Sequence, residues 1–318
     1  MRAVVFTGTG GREVMRLEER PDPVPGEHDL LVAARFAGIN TADLAQRAGA
    51  YPAPPGAPQD IPGLEVAGTV VAVGASVLGF AAGDRVFGLV GGGGLSDLVV
   101  VHERHVTHVP DGLSDEEAAA VPEAFITAHD ALVTRGGLGL GDVLLVNGAN
   151  GGVGTAAVQI GVAAGARVVA SARSAHDQLA ALGAEPAAPD GAFSAVHAAG
   201  GADVVLELVG APNLGRDLET LAPKGRVVVV GTGAGADGDL SLRTLMGKRA
   251  TIHGTMLRSR PLEEKATAVQ RFSYEIVPHL ASGRMRAVVD RIFPAEEAAD
   301  AFEHMASSGK FGRVLLSF

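Results

Sequence analysis

The segment Val143–Ala157 constrains this chain more than any other. It reads Val143-Leu144-Leu145-Val146-Asn147-Gly148-Ala149-Asn150-Gly151-Gly152-Val153-Gly154-Thr155-Ala156-Ala157. Four consecutive apolar residues predict a buried parallel strand, the glycines a tight turn, and the small and apolar residues after them a helix. At such a helix N-terminus, free N–H groups and the helix dipole hold a pyrophosphate, and glycine lets the backbone come close to it. The spacing of Gly148, Gly151 and Gly154 is a variant of the dinucleotide fingerprint. In a chain with 44 glycines the spacing alone carries little. A second strand expected at Ala166–Ser171, after a helix of suitable length, supplies the context. The reading is a nicotinamide-nucleotide site; the competing reading is a purely structural strand–turn–helix unit.

Composition bounds the rest. A length of 318 residues allows two domains and a sizeable core, and 47% apolar with 19% charged residues is ordinary for a globular enzyme. The net charge of −10, with no basic cluster, argues against a nucleic-acid partner. No apolar run reaches membrane-spanning length and the first residues lack a signal-peptide profile, so no membrane partner and a cytoplasmic location are expected. The chain has no cysteine, which removes disulfides, thiolate nucleophiles and thiolate-ligated zinc together.

To about residue 120, short strand patterns alternate with turns. They fall at Met1–Phe6, Leu30–Phe36, Gly63–Val73, Gly83–Gly88 and Leu98–Val101, with a proline-rich turn at Pro21–Gly26. Strands without intervening helices predict a β-rich, barrel-like domain. From Ser114 the pattern changes. Ser114 and Glu117 form a capping box, and a helix over Pro122–Val133 leads into the glycine segment. Strands at Asp203–Leu208, Gly225–Gly231 and Ala250–Thr255, with a helix around Leu214–Leu221, continue a βαβ rhythm. The fold class is therefore α/β, with a doubly wound parallel sheet inserted in a β-rich domain. A long helix (Leu262–Ala281), a strand (Val288–Phe293), a helix (Ala295–Ala306) and a strand (Arg313–Ser317) close the chain. The expected division is 1–122 and 263–318 for the first domain and 123–262 for the nucleotide domain.

Five stretches carry a resemblance over essentially the whole length: Ala37–Asp43, Ile61–Gly68, Gly83–Val86, Ala149–Gly154 and Gly309–Val314. On them the chain resembles the zinc-free quinone oxidoreductase family of the medium-chain dehydrogenase/reductase superfamily. Gln46–Pro52, Pro122–Ala128 and Leu257–Arg260 resemble the tumour-suppressor-inducible quinone oxidoreductase branch. The resemblance implies a GroES-like catalytic domain, an inserted Rossmann domain, a cofactor bound between domains, and a homodimer formed by pairing of the strand near Ala250–Thr255. The family's zinc enzymes carry a cysteine where this chain has Asn40 and a histidine where it has Leu64. Leucine has no donor and a neutral amide is a poor zinc ligand, so no metal is expected. Without a Lewis acid, hydride delivery to an already electrophilic quinone, enone or enal is the natural chemistry.

Cofactor choice usually rests about 20 residues past the glycines, where an acid selects the ribose hydroxyls. Here the chain reads Ser171-Ala172-Arg173-Ser174. Arg173 with Ser171 and Ser174 suits a 2′-phosphate, which predicts NADPH, unless Arg173 is an ordinary surface arginine. The pyrophosphate loop comprises Gly148, Ala149, Gly151, Gly152, Val153 and Gly154. By resemblance the remaining contacts come from Thr127, Val209, Gly210, Gly231, Thr232, Gly233, Met256 and Leu257.

By the same resemblance, Asn40, Asp43 and Tyr51 line the family's substrate cleft. Reduction of a quinone makes an oxyanion that needs a donor or a proton, which the Asn40 amide and the Tyr51 hydroxyl are placed to supply. Tyr51 also reads as a loop aromatic among prolines, and Asp43 as a brace for the short helix after Asn40. No strong general acid stands out, which favours a quinone over an alkene. His102, His105 and His108 suggest a metal site, yet on an extended segment residues three apart point to opposite faces. The expected function is an NADPH-dependent quinone oxidoreductase acting on a small-molecule quinone. An enone or enoyl reductase and an NADPH-binding protein without turnover are the alternatives.

Overall fold

Residues 1–318 are described in a computed structural model. The chain forms two units, residues 1–126 with 257–308 and 313–318, and residues 127–256 with 309–312. The sequence placed the junctions at 123 and 262. They lie instead at Thr127 and Met256, the first inside the unbroken helix Pro122–His129.

In the first unit, β1 (Arg2–Phe6) pairs antiparallel with β2 (Met15–Glu19). The strand β2 has no sequence signature: of its five residues only Met15 is buried, and pairing with β1 makes it a strand. Next come β3 (Asp29–Ala33), β4 (Phe36–Ile39), β5 (Glu65–Val73), β6 (Arg85–Leu89), β7 (Leu98–His102) and β8 (Val106–His108). Five of these form an antiparallel sheet in the order β7-β3-β5-β6-β8. Alternation sets its inner face, where Leu30, Val32, Val66, Val86, Val99 and Val101 share one core. Ser114 and Glu117 close the capping box at the helix Asp115–Ala119, through bonds of 3.2 and 2.9 Å.

The second unit is built on β9 (Val143–Asn147), β10 (Arg167–Ser171), β11 (Glu185–Ala187), β12 (Ala202–Glu207), β13 (Leu221–Val229) and β14 (Thr251–Gly254). All are parallel, in the order β11-β10-β9-β12-β13-β14. This is the doubly wound order, with its switch point between β9 and β12. Leu145, Val169, Val205 and Val227 form the middle of its core. The strand β11 escapes sequence reading because it carries Pro186, which a sheet tolerates only at its edge, and β11 is the edge.

The chain then returns to the first unit. The expected single helix Leu262–Ala281 is two, Leu262–Glu275 and Val277–Ala281, broken at Ile276. Pro278 is the reason: it has no N–H, and its ring displaces the preceding turn. The strand β15 (Val289–Pro294) runs parallel to β16 (Arg313–Ser317), which pairs antiparallel with β4. Phe293, Phe302 and Leu316 thereby join Val4, Phe6 and Ile39 in one core. No helix is long and apolar enough to cross a membrane.

Candidate functional site

The glycine segment turns sharply at the end of β9. Gly148 sits at φ +80, a left-handed conformation that glycine adopts without strain. A Cβ on Gly154 would lie 2.5 Å from the Gly148 carbonyl oxygen, so only glycine lets the helix Gly152–Ala163 pack this close to the turn. Thr155 N–H bonds to Gly151 O at 2.8 Å and Gly151 forms a parallel bridge with Gly312, so among the first-turn N–H groups Val153 and Gly154 are without an intrahelical partner. The turn is tied down from the far end of the chain. Asn150 Nδ2 donates to Lys310 O at 3.0 Å, and Gly312 N–H donates to Asn150 O at 2.9 Å. Asn150 and Gly312 were not among the expected site residues, since nothing local signals a contact across 160 residues.

The other expected cofactor residues end neighbouring strands. Ser171 is buried at the end of β10, Ser174 is half-buried and Arg173 is exposed. Val209 and Gly210 follow β12, and Gly231–Gly233 follows β13. These positions share the carboxyl edge of the sheet, where open α/β sheets bind ligands. A Cβ on Gly231 would lie 2.4 Å from Leu208 O, and one on Gly210 would lie 2.6 Å from Gly235 O. Thr127 is buried in the helix Pro122–His129, and Met256 is exposed after β14. Leu257 is buried in the first unit.

The first unit holds a buried polar cluster. Asn40 Nδ2 donates to Glu65 Oε1 at 2.9 Å, and Asn40 Oδ1 accepts from Arg313 at 2.6 Å. Arg313 also pairs directly with Glu65. Both ends of the Asn40 amide are thus engaged within the protein. Asp43 is likewise fully consumed. Its carboxylate accepts the Asn40 N–H at 2.8 Å and the Gly63 N–H at 2.9 Å, with no exposure. Burial raises its pKa to about 6 against these two bonds. Asp43 braces the start of the helix Thr41–Arg47.

Tyr51 stands differently. Its ring lies under the Arg258 guanidinium, 5.2 Å from the centroid, and its carbonyl accepts from Arg258 at 3.0 Å. Arg258 is itself fixed by Gln46 at 2.5 Å and Gly91 O at 2.8 Å. Burial raises the pKa of the Tyr51 hydroxyl, which keeps it a neutral donor. A recess of about 360 Å³ opens beside this arginine, with Pro54, Pro58 and Val90 on its walls and His105, Arg258 and Arg260 at its polar side.

Sequence reasoning missed Glu123. It keeps part of its surface accessible, while its carboxyl is packed among protein atoms. Desolvation first and the Glu65 charge second push its pKa up to about 8, so it is protonated at neutral pH. Its N–H donates to Glu65 Oε2 at 2.9 Å. An acid in the first turn of a helix reads from sequence as a dipole partner, which hides such a role.

The histidine run also differs from expectation. Glu103–His105 is a 3₁₀ turn, not an extended segment, and it brings the rings of His102 and His105 to 5.5 Å. His102 Nδ1 accepts the Arg104 N–H at 3.1 Å, and His105 bonds to Leu262 O at 3.2 Å. Burial lowers the His105 pKa to about 4. His108 packs on Phe80 at 4.8 Å.

Comparison with known proteins agrees with this arrangement. The alcohol dehydrogenase GroES-like domain family matches residues 26–111, and the zinc-binding dehydrogenase family matches residues 152–273. The chain is 34% identical to the quinone oxidoreductase of Lama guanicoe, over 99% of this chain and 97% of that protein. It is 31% identical to the quinone oxidoreductase of Homo sapiens with the same coverage. Its fold is similar to that of the quinone oxidoreductase from Thermus thermophilus, which was also solved as a complex with NADPH. That match has a TM-score of 0.87 and 34% identity, with both chains covered in full. On these grounds the chain belongs to the quinone oxidoreductase family of the medium-chain dehydrogenase/reductase superfamily.

Proposed function

We propose that this chain is an NADPH-dependent quinone reductase that works without zinc. The observation that carries the reading is full-length likeness to quinone oxidoreductases joined to a complete glycine edge on the parallel sheet. The dinucleotide fits that edge: a Cβ at Gly154, Gly210 or Gly231 would close on backbone within 2.6 Å, so these glycines let the turn and loops pack closely into the shape that would receive it. The first-turn N–H groups of Val153 and Gly154 would hold the pyrophosphate, with the backbone of Gly148–Gly152 around it, and Arg173 with Ser171 and Ser174 the 2′-phosphate. Thr127, Val209, Gly210, Gly231, Thr232, Gly233, Met256 and Leu257 would complete the site.

NADPH supplies a hydride. A quinone that accepts a hydride becomes a hydroquinone anion and takes one proton to finish as the hydroquinone. Two groups in the first unit are suited to the proton's side of the reaction: the protonated Glu123 carboxyl as its source and the Tyr51 hydroxyl as a hydrogen-bond donor. Zinc chemistry has no ligands to work with at the two positions named by the resemblance. Leu64 is an apolar buried side chain, and the Asn40 amide is committed to Glu65 and Arg313. The recess beside Arg258, at about 360 Å³, lies in the size range of small-molecule sites and is our choice for the substrate.

One observation favours a second reading. Reduction of an enone requires a proton delivered to carbon, and Glu123 is the acid that the sequence lacked. Product analysis under anaerobic conditions separates the two. One hydroquinone formed per NADPH, with an enone turned over more slowly, supports quinone reduction; faster enone reduction moves the substrate class to activated alkenes.

We also propose a homodimer. The strand β14 ends the parallel sheet and pairs on one side only, with β13, so its outer edge offers unpaired backbone groups to a second copy. Sedimentation at twice the mass of 32.2 kDa supports this, and a monomer overturns it.

A further inference from the structure

A second buried acid pair lies in the parallel-sheet unit, and the chemistry described above does not use it. Glu207 ends β12 and Asn147 ends β9, and the two are register partners. Asp217 reaches them from the helix Ala211–Thr220 with no exposure. Asn147 Nδ2 donates to Glu207 Oε2 and to Asp217 Oδ1, each at 2.7 Å. The two buried carboxyl groups therefore share one neutral amide donor. Two ionised carboxylates held this close and out of water repel each other, and a proton on one of them removes that repulsion. Asp217 Oδ2 is buried with no donor facing it, which makes it the oxygen left for that proton.

The same glutamate organises two loops. Its Oε1 accepts the N–H groups of Val209 at 2.5 Å and Gly210 at 2.7 Å. Its backbone carbonyl accepts the N–H groups of Val230 at 2.9 Å and Gly231 at 3.1 Å. The two loops are then stitched together by Ala234 N–H to Val209 O and Ala211 N–H to Gly235 O, both at 2.9 Å. Gly210 sits at φ +124, a conformation open to glycine and strained for a residue with a side chain.

We propose that Glu207 and Asp217 share one proton, and that this proton clamps the Val209–Gly210 and Gly231–Gly233 loops in the shape that receives NADPH. The inference rests on the proposed assignment of those loops to the cofactor. With the proton present, Glu207 is a single stable anion turned toward backbone N–H groups. Without it, two carboxylates face each other in a buried site and Glu207 is driven off the loop.

Arg216 eases this repulsion in part, and the surrounding charges are otherwise engaged. Arg216 pairs with Asp190 at 2.7 Å and lies over the Phe193 ring, and Lys248 donates to the carbonyls of Glu219 and Leu221. His197 and Arg243 are exposed, and Asn213, at 3.1 Å from Glu207, is neutral. Burial, followed by the Glu207 charge, raises the Asp217 pKa to about 9. Glu207 and Asp217 are positioning residues: they act on NADPH through the loops.

The test is NADPH affinity of the full chain from pH 7 to 10, read by cofactor fluorescence, for the natural protein and Asp217→Asn. Asparagine keeps the shape and donates permanently to Glu207. The natural protein should lose affinity about tenfold per pH unit above roughly pH 9, with Asp217→Asn level over the same range. Carbon-13 carboxyl spectra of the natural protein, which need no variant, should show Asp217 titrating near pH 9. The same alkaline loss in Asp217→Asn overturns the inference, as does an Asp217 carboxyl that titrates in the ordinary carboxylate range. Titration near pH 9 with an unchanging NADPH affinity overturns the link from pair to loops. Absence of saturable NADPH binding at pH 7 is a different failure: it overturns the cofactor assignment and the inference with it.

Discussion

Glu65 accepts the backbone N–H of Glu123 on one carboxylate oxygen, at 2.9 Å, while its other oxygen is bound by Arg313 and Asn40. A fixed negative charge is thereby held beside a second acid, which is kept protonated. If Glu123 supplies the proton for the reduced quinone, turnover must fall as pH rises through about 8, where the donor form is lost. Glu123→Gln should lower turnover roughly tenfold or more and remove that limb from the pH–rate profile. A limb that survives in the variant contradicts the assignment.

The same ionisation has a stability consequence. The folded-state pKa of Glu123 is raised above its ordinary value of 4.5, so its contribution is complete below that value and is lost as pH rises through about 8. Denaturant titrations should find the natural protein losing up to about 1.4 kcal/mol per pH unit in that window relative to Glu123→Gln. A constant difference between the two proteins from pH 5 to 8 contradicts the buried, protonated state.

Arg313 and Glu65 are both nearly inaccessible, with side-chain exposures of 5% and 2%. Removing one partner strands the other charge in the interior. Arg313→Met should cost about 3–5 kcal/mol in thermal or denaturant unfolding. The double variant Arg313→Met with Glu65→Leu should recover part of that loss, because no uncompensated charge remains. Equal losses in the single and double variants would show that packing, not the pair, sets the cost.

Arg173 is exposed at the end of β10, where no carboxylate competes for the ribose. Arg173→Ala should weaken NADPH binding by about 10- to 100-fold, the range of one or two charge-assisted hydrogen bonds, and leave NADH binding within about twofold. Equal effects on both cofactors contradict a 2′-phosphate contact.

Gly154→Ala probes the glycine edge. The added methyl would meet Gly148 O at 2.5 Å and Ala149 backbone atoms at 2.6 Å, all of them backbone that has no rotamer to give. The helix must shift outward, at a cost of about 1–3 kcal/mol in stability and with most NADPH affinity lost. Native affinity in a stable Gly154→Ala protein contradicts the close approach.

The parts of this protein legible in its sequence are those with a local cause. The run Val143–Val146 and its glycines define β9 and the turn after it, and Ser114 with Glu117 marks its helix without any tertiary information. The parts that were not legible depend on partners far along the chain. The strand β2 exists through β1, β11 is a strand in spite of Pro186, and the glycine turn is held by Lys310 and Gly312. Asp43 was legible as a brace for the short helix after Asn40, but the distant partners of the Asn40 amide were not. Only the fold brings Arg313 and Glu65 to Asn40, and Gly63 to Asp43.

The decisive experiment is steady-state oxidation of NADPH and NADH, side by side, with an ortho-quinone as acceptor. Saturable turnover is expected, with kcat/KM for NADPH at least about tenfold above that for NADH, and a further loss confined to NADPH in Arg173→Ala. No quinone-dependent oxidation of NADPH, or an equal preference for the two cofactors, would contradict an NADPH-dependent quinone reductase.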